Sequence, residues 1–165
     1  MKKITLFLLL VISLQVSAQI RRVALFDFTK PTELNPSITP RTDNGGGLKV
    51  SDKVFTNGLA NISFVDGSQI TGAQIQTGID EEWNITSYTL RLTYTTQMVF
   101  SCTNGATIDS IRISHDSVIG DLSLNNSDQP GTLDALQGCE LWKSEPNSNV
   151  SKVVFKNGPN STEFK

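Results

Sequence analysis

The chain has 165 residues, with 14 basic against 16 acidic side chains and a formal charge of −2. That length fits one domain whose core is large enough to fold without metal or dense crosslinking. The basic residues are scattered between neutral and acidic ones, which excludes a compact nucleic-acid binder built on a basic face.

Residues 1–18 read as a secretory signal peptide. Met1, Lys2 and Lys3 make a positive start, Ile4 to Leu14 is almost unbroken hydrocarbon, and Val16-Ser17-Ala18 supplies small residues before Gln19. The apolar run is too short to span a bilayer, and nothing later approaches about 18 consecutive apolar residues, so no transmembrane segment is expected in the mature chain, residues 19–165. The product is expected to be secreted or periplasmic. With the leader's two lysines removed, 12 basic residues face 16 acidic ones, a charge of −4. Cys102 and Cys139 both lie in the exported part, and neither follows the leader, where a lipoprotein anchor would attach. In an oxidising compartment they are a candidate disulfide worth about 3–4 kcal/mol in the chain-entropy model. The alternative is two small buried hydrophobes.

In chain order, Val23 to Phe28 predicts a first strand, with Ala24, Phe26 and Phe28 on one face. Pro31, Pro36, Pro40 and Gly45-Gly46-Gly47 exclude a long helix or central strand over Lys30 to Gly47 and predict a surface loop. Short strands are expected at Leu48–Val50, Ala60–Val65 and Gln69–Thr77, separated by the turn dipeptides Asn57-Gly58 and Asp66-Gly67. Tyr88 to Tyr94 alternates most clearly, placing Tyr88, Leu90, Leu92 and Tyr94 on one buried face. Met98, Phe100 and Cys102 continue the alternation after a break at Thr95 and Thr96. Asn104-Gly105 then turns the chain towards Ile111 and Ile113, with a strand start or bulge near Asp109-Ser110. Val118–Leu124 and Val150–Phe155 complete the set, and Ser161–Lys165 is short for an edge strand. No mature segment keeps a 3.6-residue apolar period over three turns. The expected fold is therefore all-β: a single antiparallel β-sandwich of jelly-roll or immunoglobulin-like wiring.

Candidate chemistry is sparse. His115 is the sole histidine, and the chain has no Gly-x-Ser-x-Gly elbow. Zinc is not expected, because the cysteines are 37 positions apart with no second histidine. Asp66-Gly67-Ser68 and Asn125-Asn126-Ser127-Asp128 could hold a structural calcium, although turn chemistry explains both; otherwise no cofactor is expected. Asp80-Glu81-Glu82 is the densest carboxylate cluster, but adjacent loop acids rarely meet the spacing that glycoside hydrolysis requires. Trp83 and Trp142 remain. An indole face stacks on the apolar side of a sugar ring. Trp142, within Leu141-Trp142, reads better as core, whereas Trp83, flanked by Asp80, Glu82 and Asn84, is the candidate ligand platform.

Phe26-Asp27-Phe28-Thr29, Ile62-Ser63-Phe64 and the run from Met98 through Gly105-Ala106-Thr107-Ile108 to Ile113, ahead of Leu141-Trp142, give the chain a family look over most of residues 23–155. It resembles secreted β-sandwich modules of Bacteroidetes bacteria. Asp109-Ser110-Ile111 and Asp116-Ser117-Val118 also resemble the O-glycosylation signal of that lineage. The resemblance implies an extracytoplasmic, noncatalytic module associated with surface or glycan handling, and it carries over no binding residues. The expected function is thus a secreted, non-enzymatic module that binds glycan or another cell-surface ligand through loops around Trp83. The alternatives are a structural or assembly subunit that pairs through a strand edge, and a small hydrolase using Asp80, Glu81 or Glu82 with His115.

Overall fold

A computed structural model describes residues 21–39, 47–67, 72–79, 85–114, 122–124, 130–136, 139–158 and 162–164. The protein is nearly all β, as its alternating pattern predicts. Among the described residues a short helix, α1 (Pro31–Leu34), precedes the strands β1 (Leu48–Lys49), β2 (Val54–Thr56), β3 (Ala60–Val65), β4 (Ala73–Ile79), β5 (Ile85–Leu92), β6 (Gln97–Cys102), β7 (Ser110–Ser114), β8 (Leu122–Leu124), β9 (Gly131–Leu136), β10 (Cys139–Ser144), β11 (Lys152–Asn157) and β12 (Thr162–Phe164). They form three antiparallel sheets rather than the two of a simple sandwich. The orders are β1-β4-β5-β12, β2-β3-β6-β11-β8 and β7-β10-β9.

Register explains why these sequences pair as they do. In the five-stranded sheet, Phe55, Ile62, Phe100 and Val153 stand opposite one another across four strands, and Phe64, Met98 and Phe155 form the next row. A slip of one residue would turn both rows outward, so burial fixes the pairing. Each fully buried side chain of this size contributes about 1.5–3 kcal/mol relative to exposure. Phe28 adds to this face from outside the sheet, its ring meeting Phe55 edge-on at 5.2 Å. In the four-stranded sheet the inner row is Leu48, Ile75 and Leu90, with Ala73 opposite Leu92 beside it. In the three-stranded sheet it is Ile111, Trp142 and Leu133. All three rows feed one hydrophobic cluster.

Several expectations change. Residues 21–30 are not a strand: Val23 is 89% and Leu25 76% exposed, and only Phe28 of this run is buried. The segment instead lies along edge strand β2, where the Asn57 side-chain amide donates to the Leu25 carbonyl at 3.3 Å and the Asn35 amide donates to the Val54 carbonyl at 2.9 Å. The proline-rich stretch begins with α1, whose first residue, Pro31, needs no amide partner there, and it anchors Leu34 and Ile38 in the core. β9 was not anticipated, because Gly131 to Leu136 carries too few β-branched residues to signal a strand. The Ser110 start of β7 and the short β12 edge agree with the sequence. The 85–92 strand places Leu90 and Leu92 in the core as predicted, but Tyr94 leaves that face for a turn.

Candidate functional site

Asp80, Glu81, Glu82, Trp83 and Asn84 lie outside the described residues, as do His115, Asp116 to Gly120 and Asn125 to Asp128. In sequence, Asp80 to Asn84 join β4 to β5, which pair antiparallel from Ala73–Leu92 to Ile79–Ile85. Trp142 is fully described and wholly buried, as its sequence context predicts. Gly131 makes room for it. A Cβ at that glycine would stand 2.6 Å from three atoms of the indole. The indole Nε1 is buried and finds no hydrogen-bond partner among the described residues, and the ring, with no exposed surface, serves packing. Cys102, half-buried at the end of β6, and Cys139, buried at the start of β10, are free thiols in different sheets. The structure has no bond between these two candidate disulfide partners. Burial pushes the Cys102 thiol up, which keeps it protonated and weakly nucleophilic at neutral pH.

At the end of the β4–β5 pair away from Asp80, the described residues form an open groove of about 590 Å³, lined by Lys49, Ser51, Asp52, Phe64, Val65 and Asp66. Two sheets supply it: β1 ends at Lys49 and β3 ends at Val65. The Lys49 ammonium lies 2.5 Å from Asp66 Oδ2. The Ser51 hydroxyl donates to the Asp66 carboxylate and accepts the Ala73 N–H at 3.1 Å. Lys53 Nζ lies 3.4 Å from Asp52 Oδ2. Burial raises the Asp66 carboxyl, but hydrogen bonds from Lys49 and Ser51, with the Lys49 charge, outweigh it and hold the group below its ordinary value. The groove therefore presents the Lys49–Asp66 ion pair, the Asp52 carboxylate with Lys53 against it outside the lining, and a fixed hydroxyl.

Glycine is required twice at its border. Gly72 has φ +51°, and a Cβ there would strike the Asp66 carboxylate and the Ser51 hydroxyl. A Cβ on Gly67 would strike the Tyr94 carbonyl and the Thr95 hydroxyl. The turn that Gly67 admits is unusual. Tyr94 and Thr95 have φ +21° and +51°, in the region where Asn-Gly is normally chosen, as the chain does at Asn104-Gly105. Buried hydrogen bonds hold it. The Thr96 N–H reaches the Thr93 carbonyl at 3.2 Å and the Thr96 hydroxyl donates to the same oxygen. The Thr93 hydroxyl donates to the Gly72 carbonyl at 2.8 Å, and the Asn157 amide donates to the Leu92 carbonyl at 3.3 Å.

Lys49, Ser51 and Tyr94 carry no motif that would mark them in sequence. The usable signal was Tyr94-Thr95 between two strands, a turn without glycine or asparagine. For calcium, the Asp66 carboxylate is engaged by Lys49 and Ser51, and no group of three or more His, Cys, Asp or Glu among the described residues could hold a metal. Nor is any helix among them long and apolar enough to cross a membrane.

The described residues define an all-β, sandwich-like protein with an open polar groove at one end of the β4–β5 pair. No family model matches the chain, and no curated protein or solved structure matches it.

Proposed function

We propose that the chain is an exported, noncatalytic β-sandwich module that binds glycan or another cell-surface ligand through the loop containing Asp80, Glu82, Trp83 and Asn84. The fate of the two tryptophans carries this reading. Trp142 is sealed under Gly131 in the core, so an indole platform falls to Trp83, between two paired strands. The resemblance to secreted Bacteroidetes modules and the leader-like residues 1–18 agree with it. The test is a glycan array followed by calorimetry of each hit with wild-type protein and Trp83→Ala. Binding that weakens at least about tenfold in the variant, with unfolding temperature unchanged, supports the reading. Equal binding by both proteins removes Trp83 from it.

One observation favours an assembly subunit as a second reading. Among the described residues no strand pairs with the outer side of β9, six residues long. A monomer at all concentrations in sedimentation, with no crosslinked partner, counts against it.

A further inference from the structure

We propose that the groove at Lys49, Ser51 and Asp66, with Tyr94 beside it, is a second binding site, selective for a neutral oligosaccharide. The inference rests on the reading of the chain as glycan-binding but places contact away from Trp83. Strands β4 and β5 leave the groove at Ala73 and Leu92 and end at Ile79 and Ile85, about 20 Å away at the usual strand rise. A change at either end should leave the other intact.

Three observations converge on this class of ligand. The first is charge. Lys49 is paired with Asp66 and Lys53 with Asp52, so the fixed charges around the groove cancel. A strongly anionic or cationic ligand would gain little there. A hydroxyl can donate to a carboxylate and accept from an ammonium at once, and such charge-assisted bonds are stronger than neutral ones. The second is preorganisation. Ser51 is held between Asp66 and the Ala73 amide, and Gly72 lets the carboxylate sit against the backbone, so the polar groups keep their positions before a ligand arrives. The third is Tyr94. Its carbonyl lies against Gly67, the residue after Asp66, which places the Tyr94–Thr95 turn beside the groove. The residue is 43% exposed although the sequence pattern would bury it. Left-handed backbone at Tyr94 and at a β-branched residue is costly, and the Thr93, Thr96 and Asn157 network maintains it. The turn thereby leaves a tyrosine part-exposed at the border of the groove, next to Gly67, and an exposed aromatic residue near paired donors and acceptors is the combination that binds a sugar ring by its face and its hydroxyls.

The experiment titrates full-length mature protein by calorimetry with neutral hexasaccharides of glucose, mannose, xylose and galactose, and with hexagalacturonate as the acidic comparison. The variants are Lys49→Met, Tyr94→Ala and Trp83→Ala, each checked by thermal unfolding. The proposal expects at least one neutral hexasaccharide whose binding falls about tenfold or more in Tyr94→Ala and Lys49→Met yet persists in Trp83→Ala. Tyr94→Ala leaves the ion pair intact, so it decides the matter if Lys49→Met fails to fold. Unchanged binding in Tyr94→Ala, with loss in Trp83→Ala, overturns the groove while sparing the proposed function. Tighter binding of hexagalacturonate overturns the neutral selectivity. Binding of no saccharide overturns both.

Discussion

Replacing Gly131 with alanine tests the packing that removes Trp142 from any recognition role. The added Cβ would stand 2.6 Å from Cε2, Cζ2 and Nε1 of an indole with no exposed surface. Real Cβ atoms do not approach other atoms that closely. The clash is with the body of a ring wedged between Ile111 and Leu133, so the indole or β9 must shift. Overpacking of this kind costs about 1–3 kcal/mol. For a domain of this size each kcal/mol lowers the midpoint by about 2–4 °C, so Gly131→Ala should melt roughly 4–8 °C below wild type for a mid-range cost. Far-UV circular dichroism reads the transition without depending on the tryptophan signal. The second arm repeats the substitution in a Trp142→Leu background. Leucine ends at its Cδ methyls, short of the three clashing positions, and surrenders no hydrogen bond to a described residue. Gly131→Ala should then cost less by about 1 kcal/mol or more, a coupling that only contacting residues show. An equal cost in both backgrounds, or a change below about 0.5 kcal/mol in wild type, would refute the packing argument.

Gly67→Ala and Gly72→Ala should each destabilise by more than a typical surface substitution, Gly72→Ala doubly so because of its φ of +51°; chemical denaturation midpoints check both. Asp66 is held below its ordinary value, so its contribution to stability is fully present above the unfolded carboxyl range and is lost as pH falls through the folded value. Stability measured downward from pH 5 should decline less steeply in Asp66→Asn than in wild type. Without reductant, unfolded protein should titrate two thiols per chain, and in the native state Cys102 should react with Ellman's reagent more slowly than free cysteine; zero thiols on unfolding would establish the bridge that the structure lacks. If residues 1–18 are a cleaved leader, protein recovered from an exporting host should begin at Gln19 by N-terminal sequencing.

How far the sequence could be read depended on whether a side chain's role was local. Ala60 to Phe64 and Leu90 to Leu92 alternate strictly, and the sheets bury the expected face. Asn104-Gly105 announces its turn because only a few residue types tolerate its backbone. Val23 to Phe28 reads as a strand just as well, yet Val23 and Leu25 lie exposed along β2, since a short apolar run does not reveal whether a partner strand exists for it. Tyr94 misled for a related reason. Its place in the alternation is real, but the chain must pass from the four-stranded to the five-stranded sheet at Thr93–Thr96, and that long-range demand overrides local propensity. Lys49 and Asp66 meet across 17 positions from separate sheets, a pairing with no local signature. The third sheet was unreadable because β9 is a weak strand stabilised by its contact with Trp142 and β10.

Recognition through the loop at Trp83 is decided by calorimetry of wild-type and Trp83→Ala protein against a glycan-array hit. The expected result is a saturable isotherm for wild type and at least a tenfold weaker one for the variant, about 1.4 kcal/mol, with superimposable melting curves. Identical isotherms for the two folded proteins would contradict it.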